Sequence, residues 1–279
     1  PFFPEIIRGF ESAALSEGFD VLLCNTEYGP DRFEAAVRKL IANQVRGVAV
    51  MTSMIDRSLA EELARLKIPV VLLDQSPPGK LISTIAINYL TGVSQALEHL
   101  LELGHRDFCF VSGPQTIRSA GAYRQAFLKA AENLGLKSLE IVEGNHKVDG
   151  GTAAARTLGA RPRMPTAILC GNDMTAIGVM SGLQDLGLQV PRDVSVVGFD
   201  DVFFAQLAHP PLTTIHLARE RLGQLALELL EKTPRLKGRM GIEHSFETAL
   251  VVRKSTGAAN DQGLNRPEWT GERTTTRQP

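Results

Sequence analysis

Short β-branched runs alternate with amphipathic helical stretches along nearly all of this 279-residue chain, and that alternation limits its fold more than any other feature. Val21–Cys24, Gly47–Met51, Ile68–Leu73 and Phe108–Val111 read as strands. Between them lie helical faces built on Ile6, Phe10 and Ala14, on Phe33, Val37 and Ile41, on Leu59, Leu63 and Leu66, and on Val93, Leu97 and Leu101. Gly18 and Gly104 stand where helix C-terminal stops belong. The pattern then restarts. Helices are predicted at Ala122–Asn133, Thr152–Leu158, Met174–Leu186 and Leu217–Leu230. Strands are predicted at Leu139–Val142, Ala167–Cys170, Val194–Gly198 and Phe246–Val252. Repeated βαβ units imply parallel sheets with helices on both faces. Two successive sets imply an α/β protein of two doubly wound parallel-sheet subdomains facing each other across a ligand cleft.

Composition removes several function classes. The net charge is −1, so the chain as a whole lacks the basic excess of a domain that grips duplex DNA by itself. Cys24, Cys109 and Cys170 all lie in apolar runs without close spacing, which argues for buried thiols rather than disulfides or a zinc site. The histidines show no ligand spacing. No apolar run reaches roughly 18 residues, so no spanning helix is expected, and no signal peptide is visible. The chain opens at Pro1 without a methionine and reads as a piece of a longer protein. No nucleophile elbow, phosphate loop with lysine or metalloenzyme spacing is present, so the chain is not read as an enzyme and implies no cofactor and no metal. The stretch 257–279 is polar and aperiodic, and is expected to be a disordered tail.

The chemistry-bearing residues gather at strand ends. Val194–Gly198 is a core strand, and Phe199, Asp200 and Asp201 follow at its C-terminal end, where open α/β sheets bind ligands. Neighbouring side chains on extended backbone point opposite ways, so Asp200 is expected to contact ligand and Asp201 to serve the structure. Gly171-Asn172-Asp173-Met174 follows another strand. Asn172 is expected both to cap the next helix and to face the cleft. Phe2 and Phe3, at the start of the first helix, fit either a core contact or stacking against a sugar face. Asn88 reads as a helix cap.

Several of these motifs resemble the LacI/GalR family of bacterial transcription regulators. The segment VPRDVSVVGFDDVFFAQLAHPPLTTI (Val190–Ile215) carries most of the likeness. Gly171–Met174, Leu101–Arg106 and the closing LVVRKST (Leu250–Thr256) occur in family order and spacing. The resemblance covers nearly all of 1–256 and implies the periplasmic-binding-protein-like type I fold. It implies an N-terminal subdomain of 1–112 plus 213–240 and a C-terminal subdomain of 113–212 plus 241–256, crossing near Gly113, Thr213 and Gly241. It also implies a first strand before Pro1, so the N-terminal sheet is expected to lack its middle strand. Leu101–Arg106 is read as a structural motif, with His105 and Arg106 as cations at a helix end.

The family generally places an effector-binding arginine nine residues after the Pro114 position. Here that position is Tyr123, with Arg124 beside it and Arg118 upstream. Either the loop is shifted and Arg124 serves, or the ligand differs from the usual one. The implied effector-binding set is Phe2, Phe3, Tyr123, Arg124, Asn172 and Asp200. The implied function is sensing of a sugar or related small metabolite by a regulator, in most cases a repressor. It would act as a cytoplasmic homodimer and contact operator DNA only through a headpiece that these residues do not contain. The alternative is a periplasmic sugar-binding protein that serves a transporter.

Overall fold

A computed structural model describes residues 2–26, 30–51, 57–74, 77–236 and 240–260. Two sheets organise it. In the first, β1 (Val48–Val50), β2 (Val70–Leu73), β3 (Ile82–Asn88) and β9 (Glu243–Glu247) lie side by side in the order β1-β2-β3-β9, all parallel. In the second the order is β10-β8-β7-β6-β4-β5. It comprises β4 (Asp107–Ser112), β5 (Ser138–Glu143), β6 (Ala167–Cys170), β7 (Ser195–Asp200), β8 (Thr213–His216) and β10 (Ala249–Val251), and only β10 runs antiparallel. The central strands β4, β6 and β7 of the second sheet are buried on both faces and largely apolar, as parallel strands between helix layers must be.

Helices α1 (Phe3–Ser16), α2 (Pro30–Ala42), α3 (Arg57–Arg65) and α9 (Arg219–Lys232) cover the first sheet. Helices α4 (Tyr89–Glu102), α5 (Arg118–Asn133), α6 (Val148–Gly159) and α7 (Asp173–Asp185) cover the second, and α8 (Phe203–Leu207) is a single turn beside it. α1 and α9 cross at glycines. A Cβ on Gly9 would stand 2.0 Å from the Glu220 carbonyl oxygen, and one on Gly223 would stand 2.0 Å from that of Ile6. Only hydrogen at both positions lets the two backbones touch. Gly104 has φ +91°, the left-handed stop expected of it.

The chain changes lobe three times, but not where expected. Helix α4 and strand β4 already belong to the second lobe, because Val93, Leu97 and Leu100 pack on Phe108, Phe110 and Phe127. The first crossing therefore falls at Asn88–Tyr89 rather than near Gly113. β8 pairs with β7, which moves the second crossing from Thr213 to just beyond His216. The predicted final strand Phe246–Val252 is two strands in different sheets, β9 and β10, so the third crossing falls near Thr248 rather than Gly241. The crossings are laced together. Asn88 Nδ2 donates to Glu247, Thr248 Oγ1 donates to the Asn88 carbonyl, and Gly92 N donates to Thr248 Oγ1.

Two further expectations are corrected. Val21–Cys24 forms no strand, and the outer edge of β1 is unpaired among the described residues. Between them runs a cavity of about 1400 Å³, lined by Ile6, Phe10, Val37, Leu40, Val50 and Leu230 among others. A strand needs a neighbour to pair with, and the place beside β1 is open. Residues 257–260, expected in the tail, instead include backbone groups bonded into the second lobe. Gly257 N donates to Ser195 Oγ, its carbonyl meets His105 Nε2, and Ala259 N donates to the Leu103 carbonyl. The rest of the expected tail, 261–279, lies outside the described residues. His105 is indeed structural, but not as an exposed cation. It is buried among Thr166, Ser195 and Gly257, and burial lowers its pKa. Arg106 does bond the helix-end carbonyl of Leu101.

Candidate ligand site at the carboxyl ends of the strands

The candidate site is built where β4, β6 and β7 end. Asp200 closes β7 with φ +102°, and Asp201 follows at φ +54°. Both are conformations that side chains other than glycine rarely adopt, and such positions cluster at functional sites. The two acids differ in their partners, and their left-handed backbone rather than an extended alternation sets them apart. Asp201 is fully engaged: its carboxylate meets His216 Nδ1 at 2.9 Å and accepts from Arg253 Nη2 at 2.6 Å. Burial works to raise its pKa, but these two partners outweigh it and hold the group below the ordinary carboxylate value. Asp200 accepts no side-chain hydrogen bond among the described residues. Burial and the neighbouring Asp173 push its pKa well above the ordinary value, against the pull of Arg219.

Asn172 caps α7, accepting from Thr175 N at 2.9 Å, and its Nδ2 donates to the His146 carbonyl at 3.1 Å. Its polar atoms are therefore already engaged. Asp173 is sealed beneath it, with Val202 N donating to Oδ2 at 2.7 Å and Thr214 Oγ1 to Oδ1 at 2.5 Å. Burial dominates these bonds and places its pKa at about 7, against 3.8 for a free chain.

That shift makes a testable stability prediction. A carboxyl whose folded pKa is raised stabilises most below the unfolded value, and the contribution is lost as pH rises through about 7. Asp173→Asn keeps the shape and removes the charge. It should raise stability at pH 8 by roughly 2–4 kcal/mol, or about 5–10 °C in Tm, and by almost nothing at pH 4. Thermal melts across that range check it; an equal gain at both ends contradicts it.

Tyr123, on α5, is 3% exposed and reaches the same place. Its ring meets Phe199 at 4.7 Å, Phe110 at 5.0 Å and Tyr89 at 5.6 Å. Its hydroxyl is buried with no hydrogen-bond partner among the described residues. Burial raises its pKa strongly, with Cys170, Asp200 and Asp173 adding to the effect. Arg124, the next residue, makes no hydrogen bond or ion pair among the described residues. It shows no link to Asp200 or Asn172.

The first helix comes to this place through Arg219. The guanidinium is 3% exposed; Nη2 donates to Glu5 Oε2 at 2.7 Å and to the Asp201 carbonyl at 2.9 Å. This ties the opening turn of α1, where Phe2 sits, to the residue after Asp200. Phe2 packs on the first lobe's core and meets Phe3 edge-on at 5.2 Å. Phe3 is half exposed.

Three residues escaped sequence reasoning. Asp74 ends β2 with φ +52°, and Tyr89 Oη donates to its Oδ2 at 2.7 Å across the first crossing. Burial raises the pKa of Asp74 despite that bond. The signal was available, since Asp74 follows the apolar run Ile68–Leu73 as Asp200 follows Val194–Gly198. His146 stands above the strand ends, with Nε2 buried and unpartnered. Space for it exists only because Gly113 lacks a Cβ, which would fall 1.8 Å from that nitrogen. Arg219 carried no sequence signal, because only the fold brings it to Asp201.

Two lobes joined by three crossings, with an acid and a buried hydroxyl that lack side-chain partners among the described residues at the strand ends, are the architecture of a two-lobed ligand-sensing α/β domain. Residues 97–256 match the periplasmic binding protein-like domain model. The HTH-type transcriptional repressor PurR of Vibrio campbellii is 36% identical over 267 residues, which span 93% of this chain and 78% of that protein. A dimeric Lac repressor structure aligns at TM-score 0.82 with 29% identity, covering 92% of this chain and 94% of that one. A LacI family regulator from Enterococcus faecalis with bound ribose aligns at TM-score 0.82 with 29% identity, covering 93% and 96%. The chain belongs to the LacI/GalR family of transcription regulators and is an effector-sensing domain of that family rather than a transporter's binding protein. No helix among the described residues is long and apolar enough to cross a membrane, and no cluster of three potential metal ligands occurs among them.

Proposed function

We propose that this domain binds a sugar or related small metabolite between its lobes, and that binding resets their relative orientation within a cytoplasmic homodimer that controls operator DNA through a headpiece. The observation that carries the reading is the carboxyl of Asp200, without a side-chain hydrogen bond among the described residues, near the buried and unpartnered Tyr123 hydroxyl. A carboxylate that accepts paired hydroxyls is a strong, directional anchor for a polyol. Phe2 and Phe3 would supply the apolar wall from the first lobe. Asn172 would act mainly by fixing the loop beside them. Arg124, whose Nε is buried and unpartnered, would supply a further donor beside Tyr123.

Two contacts give the switch its physical means. Tyr89 to Asp74 and Arg219 to Asp201 both join the lobes. A ligand that binds one arrangement of these contacts more tightly shifts the population toward it. The test is a thermal-shift screen of sugars and related metabolites. A ligand present at 100 times its Kd adds about 2.7 kcal/mol, several degrees for a chain of this size. Absence of any shift across the panel contradicts the reading.

The dimer is supported by α8, where Phe203, Phe204 and Leu207 are 59%, 48% and 52% exposed. Clustered apolar side chains on one turn mark an interaction surface. Sedimentation velocity should show dimers, and Phe203→Glu with Phe204→Glu should yield monomers with unchanged circular dichroism. A wild-type chain that stays monomeric at high concentration contradicts this arrangement.

A further inference from the structure

We propose that residues 256–259 form a strap across the foot of the second lobe, held while His99 and His105 are neutral and released when these rings take up protons. The foot is the end opposite the candidate ligand site: Ser195 opens β7 there, and Asp200 closes it at the other end. The near end of the strap is fixed by groups that do not titrate. Ser255 is buried; its Oγ donates to the Val196 carbonyl at 2.6 Å and accepts from Thr213 N at 2.8 Å, and Val196 N donates to the Ser255 carbonyl. Beyond Ser255 the anchors change. Thr256 Oγ1 lies 3.0 Å from His99 Nε2 and 3.1 Å from Thr213 Oγ1, which in turn accepts from Arg253 N. The Gly257 carbonyl lies 3.0 Å from His105 Nε2, and Gly257 N donates to Ser195 Oγ at 3.1 Å. Ala259 N then donates to the Leu103 carbonyl at 2.7 Å, beside the end of α4.

These bonds suit neutral rings. A carbonyl only accepts, so His105 Nε2 carries its proton toward Gly257, and the bare Nδ1 accepts from Thr166 Oγ1 at 3.0 Å. A second proton on Nδ1 would meet that hydroxyl's own hydrogen, on a residue that is 1% exposed. No carboxylate bonds either ring among the described residues. Asp107 is bonded to Arg163, and Asp193 to Arg192 and to Gln189 N. Burial lowers the pKa of His99 against the pull of Glu102. Burial also lowers that of His105 against the Gly257 bond, and the like charges of His99 and Arg106 add to it. Both rings therefore stay neutral below the ordinary histidine value of 6.5 while the strap is closed. With the strap off, water reaches them and they protonate more readily. The closed form is thus fully favoured above that value and loses ground as pH falls. Ser255 holds throughout, so acid moves the point at which the chain leaves the lobe from the end of α4 back to Ser255.

Amide hydrogen exchange on the whole chain at about pH 7.5 and about pH 5, with rates corrected for their intrinsic pH dependence, tests the strap. Protection at Gly257 and Ala259 should fall by about tenfold or more at the acid end. Val196 and Thr213, which are bonded to Ser255, should keep theirs. Unchanged protection at Gly257 and Ala259 overturns the proposal. So does a parallel loss throughout α4 to α7, which would be unfolding of the lobe rather than release of the strap. His99→Gln and His105→Gln each keep a polar side chain that does not titrate. Each should flatten the pH dependence at Gly257 and Ala259, whatever it does to protection at the neutral end. A purely structural histidine would lower protection equally at both ends. A fall with acid as steep as the wild type's in both variants therefore overturns the proposal as well. His99 is only half-buried, so His99→Gln carries this arm alone if His105→Gln does not fold.

Discussion

Asp200→Ala should reduce effector affinity by about 100-fold or more while the protein stays folded. A charge-assisted hydrogen bond contributes about 1.5–3 kcal/mol, and a carboxylate that receives two hydroxyls loses both when truncated. The fold should tolerate the change, because no side chain among the described residues depends on Asp200 for a hydrogen bond. Its ionised form is disfavoured where it sits, so its removal relieves an electrostatic cost. The positive φ of +102° works the other way, since alanine adopts it no more readily than aspartate does. These opposing contributions should leave Tm within a few degrees of the wild type. Asp201→Ala is the contrast. It breaks the bonds to His216 and Arg253 and frees a half-buried guanidinium, so it should lower stability rather than affinity alone. Calorimetry and melting curves on the two variants separate the roles. Equal behaviour would contradict the division of labour between the neighbouring acids.

Filling the open place beside β1 should produce the largest gain in stability available to this domain. The cavity there measures about 1400 Å³, the outer edge of β1 is unpaired among the described residues, and Val21–Cys24 also lines it. A strand of about five residues placed between them would pair on both edges and bury roughly three large apolar side chains. At about 1.5–3 kcal/mol for each buried side chain and about 1 kcal/mol for each of roughly five new backbone hydrogen bonds, against about 1–2 kcal/mol of ordering entropy for each of about five residues, a net gain of about 3–5 kcal/mol is expected. For a chain of this length that corresponds to about 10–15 °C in Tm. The measurement is a melting curve of the chain extended at its N-terminus by a β-branched strand, set against the same extension with alternate residues changed to lysine. No difference between the two would show that the cavity does not take a strand.

Much of the architecture was legible because it rests on short-range pattern. Apolar runs of three to six residues separated by amphipathic helices could only pack as parallel sheets between helix layers, and the helix ends at Gly18 and Gly104 came from the need for positive φ. What the sequence could not show was which sheet a strand joins. Phe246–Val252 reads as one continuous strand, and only the tertiary placement of Thr248, bonded to Asn88, divides it between two sheets. α4 likewise looked like part of the first lobe by position. Its apolar face fits Phe108, Phe110 and Phe127, so it packs with the strand and helix C-terminal to it. Val21–Cys24 has the apolar, β-branched pattern of a strand in its sequence but pairs with no strand among the described residues. Of the candidate site, the strand-end rule located Asp200 and Asn172 but was not applied to Asp74. It gave no access to Arg219 and His146, whose positions depend on contacts across long sequence separations. The partners of Asp201, His216 and Arg253, depend on the tertiary fold, and the positive φ of both acids lies outside the alternation that the sequence suggested.

The central claim is that a small metabolite is held between the lobes at the carboxyl ends of the strands. A crystal structure of the domain with a metabolite identified by the thermal-shift screen tests it most directly. The account predicts ligand donor atoms within hydrogen-bond distance of the Asp200 carboxylate, with Tyr123 Oη donating to the ligand and the opening turn of α1 closing over it. A ligand bound elsewhere, with Asp200 and Tyr123 left untouched, would contradict it.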